Sequence, residues 1–444
     1  MATKIIYNEA MKKIAIIGSG ISGAASVFFL RQTLGKSAEF TVFEKSNRVG
    51  GRMKNDQLGG GFIEQGGTIY HSSNRYIQEI MAQYGLISVV PHNGDGEGSQ
   101  MGIWDGSEFR LHLPTHRFAS AFRILLRYKR SLLRLEQLVK QTTRRWSKLY
   151  ELQAEGRAFK TPDEFYKLLG LYELTQTNAY DYFTSNGVSD RALHEFVDCV
   201  SRVNYAQDGQ LNALADLISL AGAGLDGGTL HSVGGGNDQL AKRILAKGDV
   251  SVRLNTEVVR IDVVGISAEN NTYTVTDADG NQSGFDIVII ACPLDLTNLQ
   301  IPYDIKRDRA YQELHATFVA GHVNAAYFGL RTAPNSIYTT ESGNSPFLSL
   351  SRVSWSPEWK LPIYKLFSRK PIPDWRLADL FTEIGGTTRQ SWRAYTKLAP
   401  MAEWPPFEIA PNLYYPSAME SSFSSIEGQA VAARNVANLI AHTL

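Results

Sequence analysis

Cysteine is nearly missing from this chain of 444 residues: Cys199 and Cys292 are the whole complement. Two are too few for a disulfide framework or a cysteine-ligated metal centre. Long apolar runs are missing as well, none approaching the roughly 20 residues that a membrane-spanning helix needs. Nor is there a surplus of charge, because 45 basic residues stand against 44 acidic ones. A net charge of +1 supplies no global field for nucleic acid. The stretch "MATKIIYNEAMKK" has no apolar leader core, and the expectation is a cytoplasmic protein. Neither H-E-x-x-H nor G-x-S-x-G occurs, so zinc hydrolysis and the serine nucleophile elbow lack their motifs. No metal site is expected.

What is present begins at "KKIAIIGSGISGAASVFFL" (12–30). Ile14 to Ile17 form an unbroken apolar run of the kind found in a strand buried on both faces. Gly18, Gly20 and Gly23 follow as G-x-G-x-x-G, and Ile21 and Ser22 open a helix. The first glycine permits the tight turn and the second lets the backbone approach a pyrophosphate. The third packs helix on strand, aiming the helix N-terminus at the phosphates. A second strand, "EFTVFEKS", ends in Glu44 and Lys45, where an acid grips ribose hydroxyls. Alone the glycine pattern is weak; between a strand and a helix, with the acid in place, it predicts dinucleotide binding.

A second glycine pair, Gly50-Gly51, followed by Arg52, adds another close backbone approach and a guanidinium for phosphate. This extended fingerprint resembles the amine-oxidase and desaturase superfamily of two-dinucleotide-fold flavoproteins, which implies FAD. The glycines of "GGGNDQL" open a further helix, and "FDIVIIACPL" reads as another buried strand. The resemblance places Val258 at the adenine. It also places Glu420, at the end of a strand-turn, and Ile426, at the start of the C-terminal helix, beside the cofactor. Ser424-Ser425 with Glu427 form the capping signature of that helix. Its apolar face is Val431, Val436, Leu439 and Ile440.

The expected fold is α/β: a Rossmann-like FAD domain with a second, substrate domain of mixed sheet plus helices. The cofactor domain is assigned to 11–90, 230–300 and 405–444, and the substrate domain to 91–229 and 301–404. Within the latter, 115–229 is helical and 301–404 carries the sheet, on strand-like runs such as "FVAGHVNAAYFGL" and "PIYKLFSR".

"SRVNYAQDGQLNALADLISLAGA" (201–223), "SWRAYTKLAP" and "LYYPSAMESSFSSIEGQAVAARNVANL" resemble the prenylcysteine oxidase (prenylcysteine lyase) family. The resemblance implies oxidation of a thioether: an S-farnesyl- or S-geranylgeranyl-cysteine, with O2 and water, gives cysteine, a prenyl aldehyde and hydrogen peroxide. Amine oxidation or isoprenoid desaturation on the same scaffold is the alternative. A third reading is a flavin-free prenyl-protein binder resembling the GDP-dissociation inhibitors.

Candidate substrate-side residues each have a bland counterpart. His71 is a proton carrier or a hydrogen-bonded structural histidine. Asn204, Tyr205 and Gln207 hold the cysteine's polar groups or form a polar turn. Trp392 and Tyr395 wall the flavin face or belong to an aromatic core. Cys292 reads as a small buried residue rather than a covalent flavin link. Finally, 116–150 is strongly basic, with Glu136 its sole acid before Lys148. Phe118, Ala121, Leu125, Tyr128, Leu132, Leu135, Val139, Trp146 and Leu149 form an apolar face of helix broken once. This segment is expected either to pack on the substrate domain or to make peripheral contact with an anionic membrane.

Overall fold

The computed structural model describes residues 11–91, 100–113, 117–265, 271–340 and 345–444. Strand β1 (Lys12–Ile17) lies between two parallel neighbours. β2 (Ala38–Phe43) pairs on one side and Ile287–Ile290 on the other, so that Ile14 stands level with both Phe40 and Ile287. The six-stranded sheet runs Val250–Arg253, β2, β1, Ile287–Ile290, Leu413–Tyr414 and Glu408–Ala410, and only the last pair is antiparallel. Its central runs, Ile14 to Ile17 and Ile287–Ile290, are apolar and buried because both faces are covered. Helix α1 (Ile21–Leu34) packs on one face with the C-terminal helix Ile426–Thr443. On the other lies a three-stranded antiparallel sheet (Val258–Gly265, Thr272–Asp277, Gln282–Phe285), where Phe285 meets Phe43 edge-on at 5.9 Å. Val431, Val436, Leu439 and Ile440 are all buried, as the apolar face of the C-terminal helix requires.

The second sheet has seven strands, in the order Phe381–Thr396, Tyr311–Val323, Leu361–Ser368, Ser349–Ser356, Ser336–Thr339, Met101–Trp104 and Phe109–Leu113. The last two lie in the substrate domain ahead of its helical part, in a stretch to which the sequence assigned no strand. The run "FVAGHVNAAYFGL" is a strand only as far as Val323, after which Ala325–Phe328 forms a 3-10 turn.

The basic segment is two helices, α3 (Arg117–Tyr128) and α4 (Arg130–Ala154), α2 being Arg75–Tyr84. They are separated at Lys129, whose φ of 47° is left-handed, which is the single break expected. Tyr128, Leu135, Val139 and Leu149 are buried, so from Tyr128 onward the apolar face is used inside the fold. Leu125 is exposed, while the side chains of Phe118 and Ala121 and all of His116 lie outside the described residues. Among the described residues no helix is long and apolar enough to cross a membrane.

Candidate functional site

The glycine turn and the second sheet enclose a cavity of about 1210 Å³. That is larger than the roughly 300–1,000 Å³ of a pocket for one small ligand. At one end it is lined by Gly18, Gly20, Ile21, Ser22, Gly51 and Arg52, and nearby by Glu44, Lys45, Val258 and Ile426. At the other end stand His71, Asn204, Tyr205, Trp392 and Tyr395. One continuous space therefore joins residues that the sequence spreads over most of the chain.

The first end is built by close backbone approach. Gly18 has φ +110°, and its N–H donates to the Phe43 carbonyl at 2.8 Å. A Cβ on Gly23 would lie 2.0 Å from the Gly18 carbonyl oxygen, so the helix sits directly on the turn. A Cβ on Gly20 would meet nothing nearer than the Gly51 Cα at 3.8 Å. The room in front of that glycine belongs to the cavity. Gly23 itself does not line it, in keeping with a packing role.

Glu44 is gripped from both sides. Ser19 donates through its N–H (3.0 Å) and hydroxyl (2.7 Å) to one carboxylate oxygen, and Ser46 does so to the other at 2.9 and 2.7 Å. Burial works against ionisation, but these four donors outweigh it and hold the carboxyl below its usual range. Ser22 Oγ, in the first turn of α1, is buried without a partner. An orphaned hydroxyl at a helix N-terminus beside a glycine cradle suits a phosphate oxygen. These residues fit a dinucleotide.

Glu420 does not line the cavity. It is fully buried behind Arg52, whose guanidinium donates to it and to the Ala394 carbonyl at 2.8 Å. Glu420 thus holds Arg52 in place. Cys292 lines the cavity beside the Gly18 turn, and burial pushes its thiol up to about 12. Such a thiol is inert at neutral pH.

The other end is aromatic. Tyr205 meets Tyr395 edge-on at 5.6 Å, and Trp392 meets Phe367 at 6.5 Å. Burial raises both tyrosine hydroxyls, that of Tyr395 to about 12. Asn204 donates its amide to Ser219 Oγ at 2.7 Å, which fixes its orientation at the wall. Gln207 is not part of the site. It staples the fold, donating to the Thr396 carbonyl (3.0 Å) and accepting from the Leu398 N–H (2.9 Å). His71 has Nδ1 2.7 Å from Ser73 Oγ and Nε2 3.3 Å from Asp226 Oδ1.

Two residues at or beside the cavity escaped sequence reasoning, and a third was given the wrong role. Asp226 lies in a glycine-rich turn that gives no hint of its partner His71. Lys365, behind Phe367, donates to the Glu64 carbonyl at 3.0 Å, and burial lowers its ammonium to about 8. Glu427 carried a signal, but it was read for the wrong helix. Ser425 alone caps the C-terminal helix, accepting from the Gly428 N–H at 2.9 Å. Glu427 accepts from the Tyr76 and Ile77 N–H groups at the start of α2 (3.0 Å each) and from the Tyr150 hydroxyl at 2.7 Å.

Comparison with known proteins agrees with this geometry. The model of an NAD(P)-binding Rossmann-like domain matches residues 16–84, and that of prenylcysteine lyase matches residues 114–444. Farnesylcysteine lyase of Arabidopsis thaliana is 31% identical over 98% of this chain and 89% of its own length. Human prenylcysteine oxidase 1 is 27% identical, covering 97% and 89%. Among solved structures, cyclohexylamine oxidase from Brevibacterium oxydans IH-35A shares the fold, with a TM-score of 0.66 at 16% identity over 97% of this chain and 99% of that one. Putrescine oxidase bound to putrescine gives 0.62 at 16% identity, covering 97% and 98%. The chain belongs to the prenylcysteine lyase family.

Proposed function

We propose that the protein binds FAD non-covalently and oxidises S-prenyl-L-cysteine, farnesyl or geranylgeranyl, with O2 and water to cysteine, prenyl aldehyde and hydrogen peroxide. The observation that carries this reading is the continuity of one cavity from the glycine cradle to the aromatic end, in a chain of this family. Glu44 would hold ribose hydroxyls, and Ser22, Arg52 and the N-terminus of α1 would hold the diphosphate. The flavin supplies two-electron oxidation, which no side chain here offers.

The remaining tasks fall to the protein. Tyr205, Trp392 and Tyr395 give the prenyl chain an apolar berth and keep stray water away. Tyr395, with its hydroxyl held up to about 12, stays neutral and orients rather than abstracts. Asn204, locked by Ser219, offers a fixed polar group to the cysteine end. The carbon between sulfur and alkene suits oxidation, because positive charge developing there is shared with both. Water added to that carbon gives a hemithioacetal, which collapses to thiol and aldehyde.

Peroxide release from farnesylcysteine, set against a panel of amines, tests the reading. Prenylcysteine should turn over, and deuterium on the sulfur-bearing carbon should slow anaerobic bleaching of the flavin. Reduction by an amine but not by prenylcysteine would establish the amine-oxidase alternative. A purified protein without flavin colour would favour the binding-module alternative.

A further inference from the structure

The helical arm leading to the cavity has an outer surface that the oxidase reading does not use. Phe122, Leu125, Leu126 and Leu133 are 61, 43, 55 and 57% exposed, a cluster of large apolar side chains on one short stretch of surface. Exposed cations are interleaved with them: Arg123, Lys129 and Arg130. Lys129 and Arg130 make no ion pair among the described residues. Two of the acids nearby are paired, Glu195 with Arg127 at 2.5 Å and Glu136 with Lys140, while Asp190 stands exposed beyond Ser189, which bonds Ser131. The patch therefore presents apolar groups and positive charge together. A protein partner would have to match that mixture residue by residue. A bilayer with anionic headgroups matches it without a defined partner.

Helix geometry ties the patch to the cavity. Leu133, Lys140, Arg144 and Ser147 fall on one face of α4 at 3.6 residues per turn. The last three line the cavity, whereas Leu133 stands exposed about 10 Å further along the helix axis. The left-handed break at Lys129 sets α3, with Phe122, Leu125 and Leu126, at the outer end of this rail.

We infer that α3 and the first turn of α4 dock on an anionic membrane surface, and that this holds the rail-lined side of the cavity toward lipid. Apolar side chains enter the headgroup boundary while Lys129 and Arg130 meet lipid phosphates. Docking does not depend on the oxidase reading, because it is measured without substrate.

The probe is co-sedimentation with vesicles of phosphatidylcholine, with and without phosphatidylserine, using the full-length flavoprotein. Wild type should pellet with the anionic vesicles at low salt, less so as salt screens the charges, and not with neutral ones. K129Q/R130Q should weaken anionic binding about tenfold. F122S/L126S should weaken it about tenfold while keeping all the charge. None of these residues lines the cavity, so flavin content and turnover of detergent-dispersed prenylcysteine should stay at wild-type levels in both variants. No binding of wild type to anionic vesicles at low salt would overturn the proposal. So would a dimer in sedimentation velocity that F122S/L126S dissolves, since the patch would then be covered by a second copy.

Discussion

The two ends of the cavity solve the same problem in opposite ways. At the glycine cradle, space is made by leaving side chains out: Gly18, Gly20 and Gly51 bring backbone to the ligand, and specificity comes from N–H groups and one ionised acid. At the aromatic end, space is shaped by large rings that hold one another edge-on, and its polar groups are tied to neighbours. The cradle comes almost entirely from one short stretch of chain. The aromatic wall needs α4, the helix Asp198–Tyr205 and the strand Phe381–Thr396 to meet. Where α1 sits on the turn, at Gly23, the cradle tolerates no added atom, whereas a wall of rings tolerates the loss of a hydroxyl.

The sharpest break of this contrast is at the glycines themselves. G23A places a methyl 2.0 Å from a backbone oxygen that cannot move without opening the turn. A loss of more than about 4 kcal/mol is expected, seen as failure to accumulate folded protein or as a collapse of the urea midpoint. At Gly20 an added Cβ would rest 3.8 Å from the Gly51 Cα, an ordinary contact, so G20V should fold yet purify nearly flavin-free. Stoichiometric flavin in G20V would move the cofactor elsewhere.

Next in size is a pH effect behind the wall. Burial, only partly offset by the Asn237 N–H, holds the Glu64 carboxyl up to about 7, against about 4.3 for a free glutamate. Between these values the folded protein keeps a proton that the unfolded chain has released, so raising the pH costs stability. Wild type should lose up to about 3 kcal/mol relative to E64Q between about pH 4.5 and about pH 7. Parallel urea midpoints for the two proteins across that range would show that the carboxyl titrates normally. The smallest effect belongs to Y395F. It keeps the ring, and the removed hydroxyl is neutral at working pH, so kcat/KM should change less than about threefold. An unaltered pH profile is expected alongside; loss of a basic limb would make Tyr395 an acid–base group.

The same contrast explains what could be read in advance. Gly18 to Gly23, Glu44 and Arg52 announce themselves because the turn demands those residues at those spacings. The strand Phe381–Thr396 did not, since Gly385 and Gly386 look like a loop. They are there because the Trp359 ring lies on them, 2.7 and 2.5 Å from where their Cβ atoms would be. Met101–Trp104 and Phe109–Leu113 are short strands around an Asp-Gly turn, and their membership of the second sheet rests on pairing with residues far along the chain. Glu420, Glu427 and Gln207 were recognisable as significant polar residues, but whether each faces ligand or protein depends on neighbours that only the fold supplies. Glu420 holds Arg52, Glu427 caps α2, and Gln207 fastens the chain at the end of the strand Phe381–Thr396.

The order in which the central sheet is filled has a consequence for biosynthesis. Of its middle strands, β1 is flanked by Ile287–Ile290, which is in turn flanked by Leu413–Tyr414, and α1 is covered by the helix Ile426–Thr443. A chain emerging from the ribosome N-terminus first must therefore carry the nucleotide cradle half-built, with one side of α1 open to water, until Ile426–Thr443 has emerged. Long-range closure of this kind is slow and leaves apolar surface exposed while it waits. Docking of Ile426–Thr443 is thus what closes the apolar side of α1.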